Sequence, residues 1–274
     1  MTLGARSLPG GLLVSVRSVE EAAAARSGGA AIIDVKEPMR GPLGRADAEV
    51  AAAIALRVGP TAACTLACGE LAEGWQAIAS HVHQIHGLLA ATRGRLSAVK
   101  AGPAGMDEAE WLTAFTALAG ALPSGVELVA VAYADWQTAA SPAPPRLIAA
   151  AAAVGAATLL IDTYDKQGPG LFGAAPVPEV ASWLEAARSA GIRVALAGRL
   201  DARECGTALA LGAVIVGVRT AACAGGRMGS VEERKVAALV GTLAEAHRES
   251  VPVPPRNNHH EVDGSQNPAQ SRAG

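Results

Sequence analysis

Residues 28–44 read GGAAIIDVKEPMRGPLG. A glycine pair, a short β-branched run, a charged end and a Pro/Gly loop follow one another there. Glycine just past a helix takes the left-handed conformation without a Cβ clash, so Gly28-Gly29 reads as a helix stop. Residues 30–35 form a short apolar run with isoleucine and valine, which reads as a strand. Lys36 closes that strand. The segment that follows holds Pro38, Gly41, Pro42 and Gly44 and reads as a loop. The same joint of glycine, small or apolar residue and strand returns at Gly155-Ala156, Gly191-Ile192 and Gly212-Ala213.

Working outward, strands are expected at residues 11–16, 30–35, 61–66, 96–99, 127–133, 158–161, 192–196 and 214–218. Helices are expected at 19–27, 46–57, 75–91, 107–122, 144–154, 178–190, 202–211 and 231–247. Near-continuous apolar strands fit a parallel sheet buried on both faces. Eight strand–helix units with no change of composition predict an α/β fold, a single (β/α)8 TIM barrel over residues 11–249. A doubly wound open sheet also alternates strands and helices, but the count of eight favours closure. Residues 1–10 are expected to be a flexible N-terminus. Residues 250–274, rich in Pro, Asn, Gln, Ser and Gly, are expected to be a disordered tail, and His259-His260 a solvated pair within it.

The chain has 274 residues, half of them apolar but only 3% aromatic, so alanine, valine and leucine must fill the core. A net charge of −2 points away from nucleic acid and from a membrane surface. Met1 to Gly10 shows no apolar signal segment, and the apolar stretches are too interrupted to span a bilayer. A cytoplasmic location is the expectation. Cys64 and Cys68 form a lone C-x3-C, and Cys205 and Cys223 complete no zinc pattern, so no metal is expected. His81, His83 and His86 lack the glutamate and spacing of a metalloprotease helix and read as a solvated face.

Three lysines fall where a barrel keeps its chemistry, two closing strands and the third four residues past Asp162, which closes another. They are Lys36, Lys100 in LSAVKAG and Lys166 in LLIDTYDKQG. Neighbouring ammonium groups repel one another, so one of them can be left neutral and nucleophilic near pH 7. Asp34 shares a strand face with Lys36, which makes either a proton-passing pair or a buried salt bridge. Asp162 follows three large aliphatics at the rim, where a carboxylate with a raised pKa serves as acid or base; it also suits a turn cap. Strand 7 runs into Ala197-Gly198-Arg199 and strand 8 into Gly217-Val218-Arg219. Barrels often hold phosphate between these two loops, which makes Gly198, Arg199, Gly217 and Arg219 the phosphate candidates. Asp135, in Tyr133-Ala134-Asp135, is a secondary candidate. Gly225-Gly226-Arg227 offers a flexible loop or a second anion contact.

Seven stretches carry a family resemblance: LLVSVRSVEEA, GGAAIIDVKEPMRGPLG, AVKAG, AYAD, LLIDTYDKQG, ALAGRL and IVGVRTAACAGG. In order, over roughly residues 12–227, they resemble the (5-formylfuran-3-yl)methyl phosphate synthases, also called 4-(hydroxymethyl)-2-furancarboxaldehyde-phosphate synthases. These are barrel enzymes of methanofuran-type cofactor biosynthesis. The resemblance implies that Lys36 forms a Schiff base, that Lys100 moves protons, and that Asp34, Asp162 and Lys166 complete the site. It implies condensation of two glyceraldehyde 3-phosphates, small phosphorylated aldehydes, into a furan aldehyde phosphate with loss of phosphate and water. Imine and proton chemistry suffices for this, so no cofactor is expected. Two rivals are a class I aldolase of another triose phosphate and a non-catalytic phosphate-binding barrel. The oligomeric state stays open.

The tail lies beyond the family pattern and has almost no apolar area with which to offset an ordering cost of about 1–2 kcal/mol per residue. Truncation after Ser250 is therefore expected to leave the melting temperature and turnover nearly unchanged. A large fall in either shows that the tail docks.

Overall fold

The protein was analysed as a computed structural model that describes residues 7–250, with side chains described through residue 248. The tail with His259-His260, and most of the N-terminal segment, lie outside the described residues. Eight parallel strands close into a barrel in chain order, with β8 pairing back to β1. The strands are β1 (Gly11–Val16), β2 (Ile32–Val35), β3 (Ala63–Glu70), β4 (Ala98–Gly102), β5 (Glu127–Tyr133), β6 (Thr158–Asp162), β7 (Arg193–Leu196) and β8 (Ile215–Val218). The helices between and after them are α1 (Val19–Ser27), α2 (Ala48–Val58), α3 (Trp75–Leu89), α4 (Glu108–Ala121), α5 (Pro144–Ala153), α6 (Leu171–Ala174), α7 (Val177–Ser189), α8 (Ala202–Ala210) and α9 (Glu233–Ser250). None of the described helices is long and apolar enough to cross a membrane.

The expected eight units are all present, and the differences have local causes. β3 runs four residues past its expected end, through Gly69, and β4 begins later and includes Lys100. A charged residue predicts a strand stop at Lys100, yet Lys100 has a buried partner in Asp34 and the ladder continues through it. The short α6 was not expected, since Gly168-Pro169-Gly170 reads as loop; Leu171 is nevertheless fully buried and anchors one turn there. The glycine stops behave as expected, with φ of +91° at Gly29 and +75° at Gly191. Capping boxes fix two helix starts, Asp107 with Glu110 and Asp201 with Glu204.

Buried apolar side chains fall into two separate clusters. The larger lies between strands and helices and includes Ile33, Val35, Leu66, Val99, Ile161 and Leu196. The smaller fills the barrel and draws on the alternate positions, such as Leu13, Ile32, Ala98, Val131, Leu160 and Ala195. This is the period of two expected of strands. Each fully buried Leu, Ile or Val is worth about 1.5–3 kcal/mol, so the outer cluster carries most of the stability. The inner cluster uses alanine at Ala63, Ala67, Ala98 and Ala195, which leaves room towards the mouth.

Helix α9 packs against α1 and β1 and closes the ring. Gly28 sits at that seam. A Cβ there would lie 2.5 Å from Val236 Cβ and 2.7 Å from Glu233 O. Gly28→Ala is expected to cost about 1–3 kcal/mol through overpacking, read as a lower urea midpoint with an unchanged slope. An unchanged midpoint contradicts this account of the seam.

Candidate active site

Alternation along β2 turns Asp34 and Lys36 to the inside of the barrel. Asp34 lies opposite Ser15 on β1 and Thr65 on β3. Ser15 Oγ donates to one carboxylate oxygen at 2.8 Å and Thr65 Oγ1 to the other at 2.7 Å. The ion pair of Asp34 is made with Lys100, which enters from β4, and not with Lys36. The expected Asp34–Lys36 contact is thereby corrected: the sequence neighbour loses to a lysine two strands away whose Nζ reaches the carboxylate directly. Burial pushes the Asp34 carboxyl up, but the charge and hydrogen bond of Lys100, helped by Lys36 and Thr65, hold it below the usual carboxylate range.

Asp162 ends β6 and is buried. Its Oδ1 accepts from Lys166 Nζ at 2.7 Å and from the Thr163 N–H at 2.8 Å. Lys166 Nζ also donates to the Thr163 carbonyl. Burial pushes this carboxyl up as well, yet Lys166 and Lys36 bring it below its ordinary value. The expected raised pKa of Asp162 is therefore not found; the two cations reverse it. Asp162 stands ready as an anion and base, and it pins the turn after β6 at the same time.

Two lysines are thus spoken for, and Lys36 is left. It is only 5% exposed, and among the described residues its Nζ makes no hydrogen bond or ion pair. Burial lowers its pKa most, followed by repulsion from Lys166 and partly offset by Asp162; Arg227 lowers it further and Asp34 raises it, to about 7 in all. A lysine with that value is half neutral at pH 7, which is the state an amine needs to attack a carbonyl. The loop over it is held in place. Gly44 lies where a Cβ would be 2.1 Å from the Glu37 carbonyl, and Leu43 is buried beneath.

All three lysines and both aspartates line one pocket of about 760 Å³ at the mouth, part of it open to solvent. Gly198, Arg199, Gly217 and Arg219 line the same pocket. Gly198 has φ +110° and a Cβ there would meet Thr163, so its backbone can approach a ligand as no other residue could. Arg199 is exposed and donates to the Gly168 carbonyl. Arg219 behaves otherwise than expected. Nε donates to Arg227 O, Nη1 to Ser15 O and Glu21, and Nη2 to Glu21 and Gly229 O. Its donors are committed to the protein, so it clamps β1, α1 and the β8 loop together and has no fork free for an anion. Asp135 is likewise spent: its two oxygens accept from the Tyr164 and Asp165 N–H groups and fix the β6 loop that carries Lys166.

Arg227 takes the place of Arg219 as a cation of the mouth. It is half-buried and lines the pocket, and its guanidinium makes one hydrogen bond among the described residues, to the Gly41 carbonyl at 3.3 Å. Ser15, Thr65 and Glu21 went unremarked in the sequence. Ser15 and Thr65 could have been found from the inward alternation that marks Asp34; Glu21 had no local signal. The four cysteines are buried and free, and burial pushes the thiols of Cys64, Cys68 and Cys205 up to about 12.

Residues 12–240 match the family model described as 4-HFC-P synthase. The (5-formylfuran-3-yl)methyl phosphate synthase of Archaeoglobus fulgidus is 31% identical over 238 residues, 84% of this chain and 97% of that protein. The enzyme of the same name from Methanothermobacter thermautotrophicus is 30% identical over 217 residues, 78% of this chain and 90% of that one. Among solved structures, 3-hexulose-6-phosphate synthase from Salmonella typhimurium aligns with a TM-score of 0.60 at 15% identity, covering 86% of this chain and all of that one. Thiamine phosphate pyrophosphorylase from Pyrococcus furiosus aligns with a TM-score of 0.56 at 14% identity, covering 87% and 96%. These two likenesses concern the fold alone.

The charge arrangement predicts a titration. Modification of Lys36 by an amine-reactive aldehyde should rise with pH through about 7, whereas a surface lysine titrates near ~10.4. Lys166→Met removes a repelling cation and frees Asp162 to attract, and both changes raise the Lys36 pKa. The midpoint should therefore move to higher pH. A midpoint that stays put in this variant contradicts the assignment.

Proposed function

The chain belongs to the family described as 4-HFC-P synthase, and from that premise we propose that it is a (5-formylfuran-3-yl)methyl phosphate synthase working through a lysine Schiff base. The observation that carries the reading is Lys36, an unpaired buried amine with a pKa of about 7 between two paired lysines. Its neutral form attacks the aldehyde of glyceraldehyde 3-phosphate, and water leaves to give the imine. Protonation of the imine makes the neighbouring C–H acidic. Asp162, held as the anion, takes that proton, and Lys100, paired with Asp34, supplies protons to the later steps. The enamine so formed adds to the aldehyde of a second triose phosphate and makes the carbon–carbon bond. Elimination and ring closure complete the furan, and hydrolysis of the imine returns Lys36. Two triose phosphates balance as one furan aldehyde phosphate, one inorganic phosphate and two waters, with no net oxidation. The mouth suits substrates that each bring a dianion. Gly198 supplies open backbone after β7, Gly217 lines the pocket from β8, and Arg199 and Arg227 supply charge. The product is a step of methanofuran-type cofactor biosynthesis.

Product analysis separates this from its rivals. Incubation with glyceraldehyde 3-phosphate should give a compound absorbing in the near ultraviolet and one inorganic phosphate for every two triose phosphates consumed. An aldol product without that absorbance and without phosphate release identifies an ordinary aldolase. Binding with no turnover identifies a non-catalytic barrel.

A further inference from the structure

β3 carries an irregularity close to the site. Ala67 pairs with Lys100, whereas Glu70 pairs with Gly102, so three steps on β3 oppose two on β4. Such a bulge re-aims the side chain that follows it, and Gly69 absorbs the turn with φ +85°. The side chain so aimed is that of Glu70, which reaches across Gly102 towards β5. Tyr133 Oη donates to Glu70 Oε1 at 2.7 Å, and the Ala104 N–H donates to Oε2 at 3.1 Å. A Cβ at Gly102 would lie 2.0 Å from Glu70 Oε2 and 2.3 Å from Tyr133 Oη. Only glycine at 102 leaves the pair room to form.

This pair borders the lysine site. Tyr133 is fully buried, stands opposite Asp162 in the β5–β6 ladder, and meets the Tyr164 ring edge-on at 5.4 Å. Glu70 feels the charge of Lys166 yet forms no ion pair among the described residues. It differs in this from Asp34 and Asp162, each locked to a lysine. Burial pushes the Glu70 carboxyl up, and the bonds from Tyr133 and Ala104 only partly counter it. Carboxyl groups driven apart by their surroundings divide acid and base work between them. Two carboxylates here are held below their ordinary range by lysines, and the third, with no lysine partner among the described residues, is pushed above it.

Building on the synthase reading, we propose that Glu70, positioned by Tyr133, is the general acid that protonates a departing hydroxyl in the dehydration steps. In each such step Asp162, the anion of the site, takes the C–H proton. The released electron pair forms the carbon–carbon double bond, the adjacent C–O bond breaks, and the oxygen leaves as water with the proton of Glu70. Glu70 is left as the carboxylate and regains its proton from solvent, from which it is only partly shielded. Nothing is oxidised or reduced.

The test compares wild type, Glu70→Gln and Tyr133→Phe in single turnover with glyceraldehyde 3-phosphate. It follows furan absorbance and the mass of borohydride-trapped adducts. Glu70→Gln should trap adduct as wild type does but make furan at least about 100-fold more slowly, the usual span for a lost general acid. Its trapped adducts should be heavier than those of wild type by one or two waters. Tyr133→Phe removes a hydrogen bond that favours the carboxylate, so it raises the Glu70 pKa. The furan-forming rate falls as rising pH takes the proton from Glu70, and in this variant that fall should move to higher pH. Furan made by Glu70→Gln at the wild-type rate overturns the proposal, as does a folded Glu70→Gln that loses trapping and furan in equal measure. Should Glu70→Gln not fold, the Tyr133→Phe profile decides, and an unmoved limb overturns the assignment. Wild type that makes no furan sinks the synthase reading and this proposal with it, whereas furan from an unimpaired Glu70→Gln sinks this proposal alone.

Discussion

Two buried ion pairs, Lys100 with Asp34 and Lys166 with Asp162, set the character of the barrel mouth. Each pairs one lysine with one aspartate, and three lysines with two aspartates leave one lysine over. That remainder is Lys36. Out of water, with Lys166 and Arg227 nearby, it gains little by holding a proton, and its pKa drops to about 7. Isolated buried pairs of this kind are poor stabilisers, because desolvation offsets most of the attraction. Their value here is electrostatic. They create a dry, charge-balanced setting in which a neutral amine is the favoured state of the odd lysine.

The fold supplies what the pairs need. Asp34 and Lys100 lie within strands, Asp162 ends β6, Lys36 directly follows β2, and Lys166 comes from a loop pinned by Asp135. Small residues inside the barrel open space below the mouth, while large ones outside hold strands to helices. The β8 side is tied down by Arg219, whose bonds to Glu21, Ser15 and Gly229 join the last strand to the first. Rigid strand ends hold reacting groups more closely than loops do, and a 1 Å error in placement can cost about 100-fold in rate.

What the sequence disclosed was periodic or local. Glycine stops, apolar runs and their count disclosed the barrel, and strand-end position disclosed the three lysines and both aspartates. What it withheld was the choice of partner. Asp34 and Lys36 are two residues apart, and nothing local says that Lys100, 66 residues away, takes the carboxylate. Arg199 and Arg219 look alike as Gly-Arg or Val-Arg strand ends, yet one is exposed and the other is consumed by a glutamate 198 residues away. The Glu70–Tyr133 contact depends on a bulge and on the absence of a side chain at Gly102, neither of which has a periodic trace. Charged side chains are legible as candidates; their pairing is settled only by closure of the sheet.

The claim at the centre of this account is that Lys36, and neither of the paired lysines, is the covalent residue. Borohydride reduction in the presence of glyceraldehyde 3-phosphate, followed by peptide mapping, tests it directly. Substrate mass on the peptide that contains Lys36, absent from Lys100 and Lys166, is the result predicted. An adduct confined to Lys100 or Lys166 contradicts it.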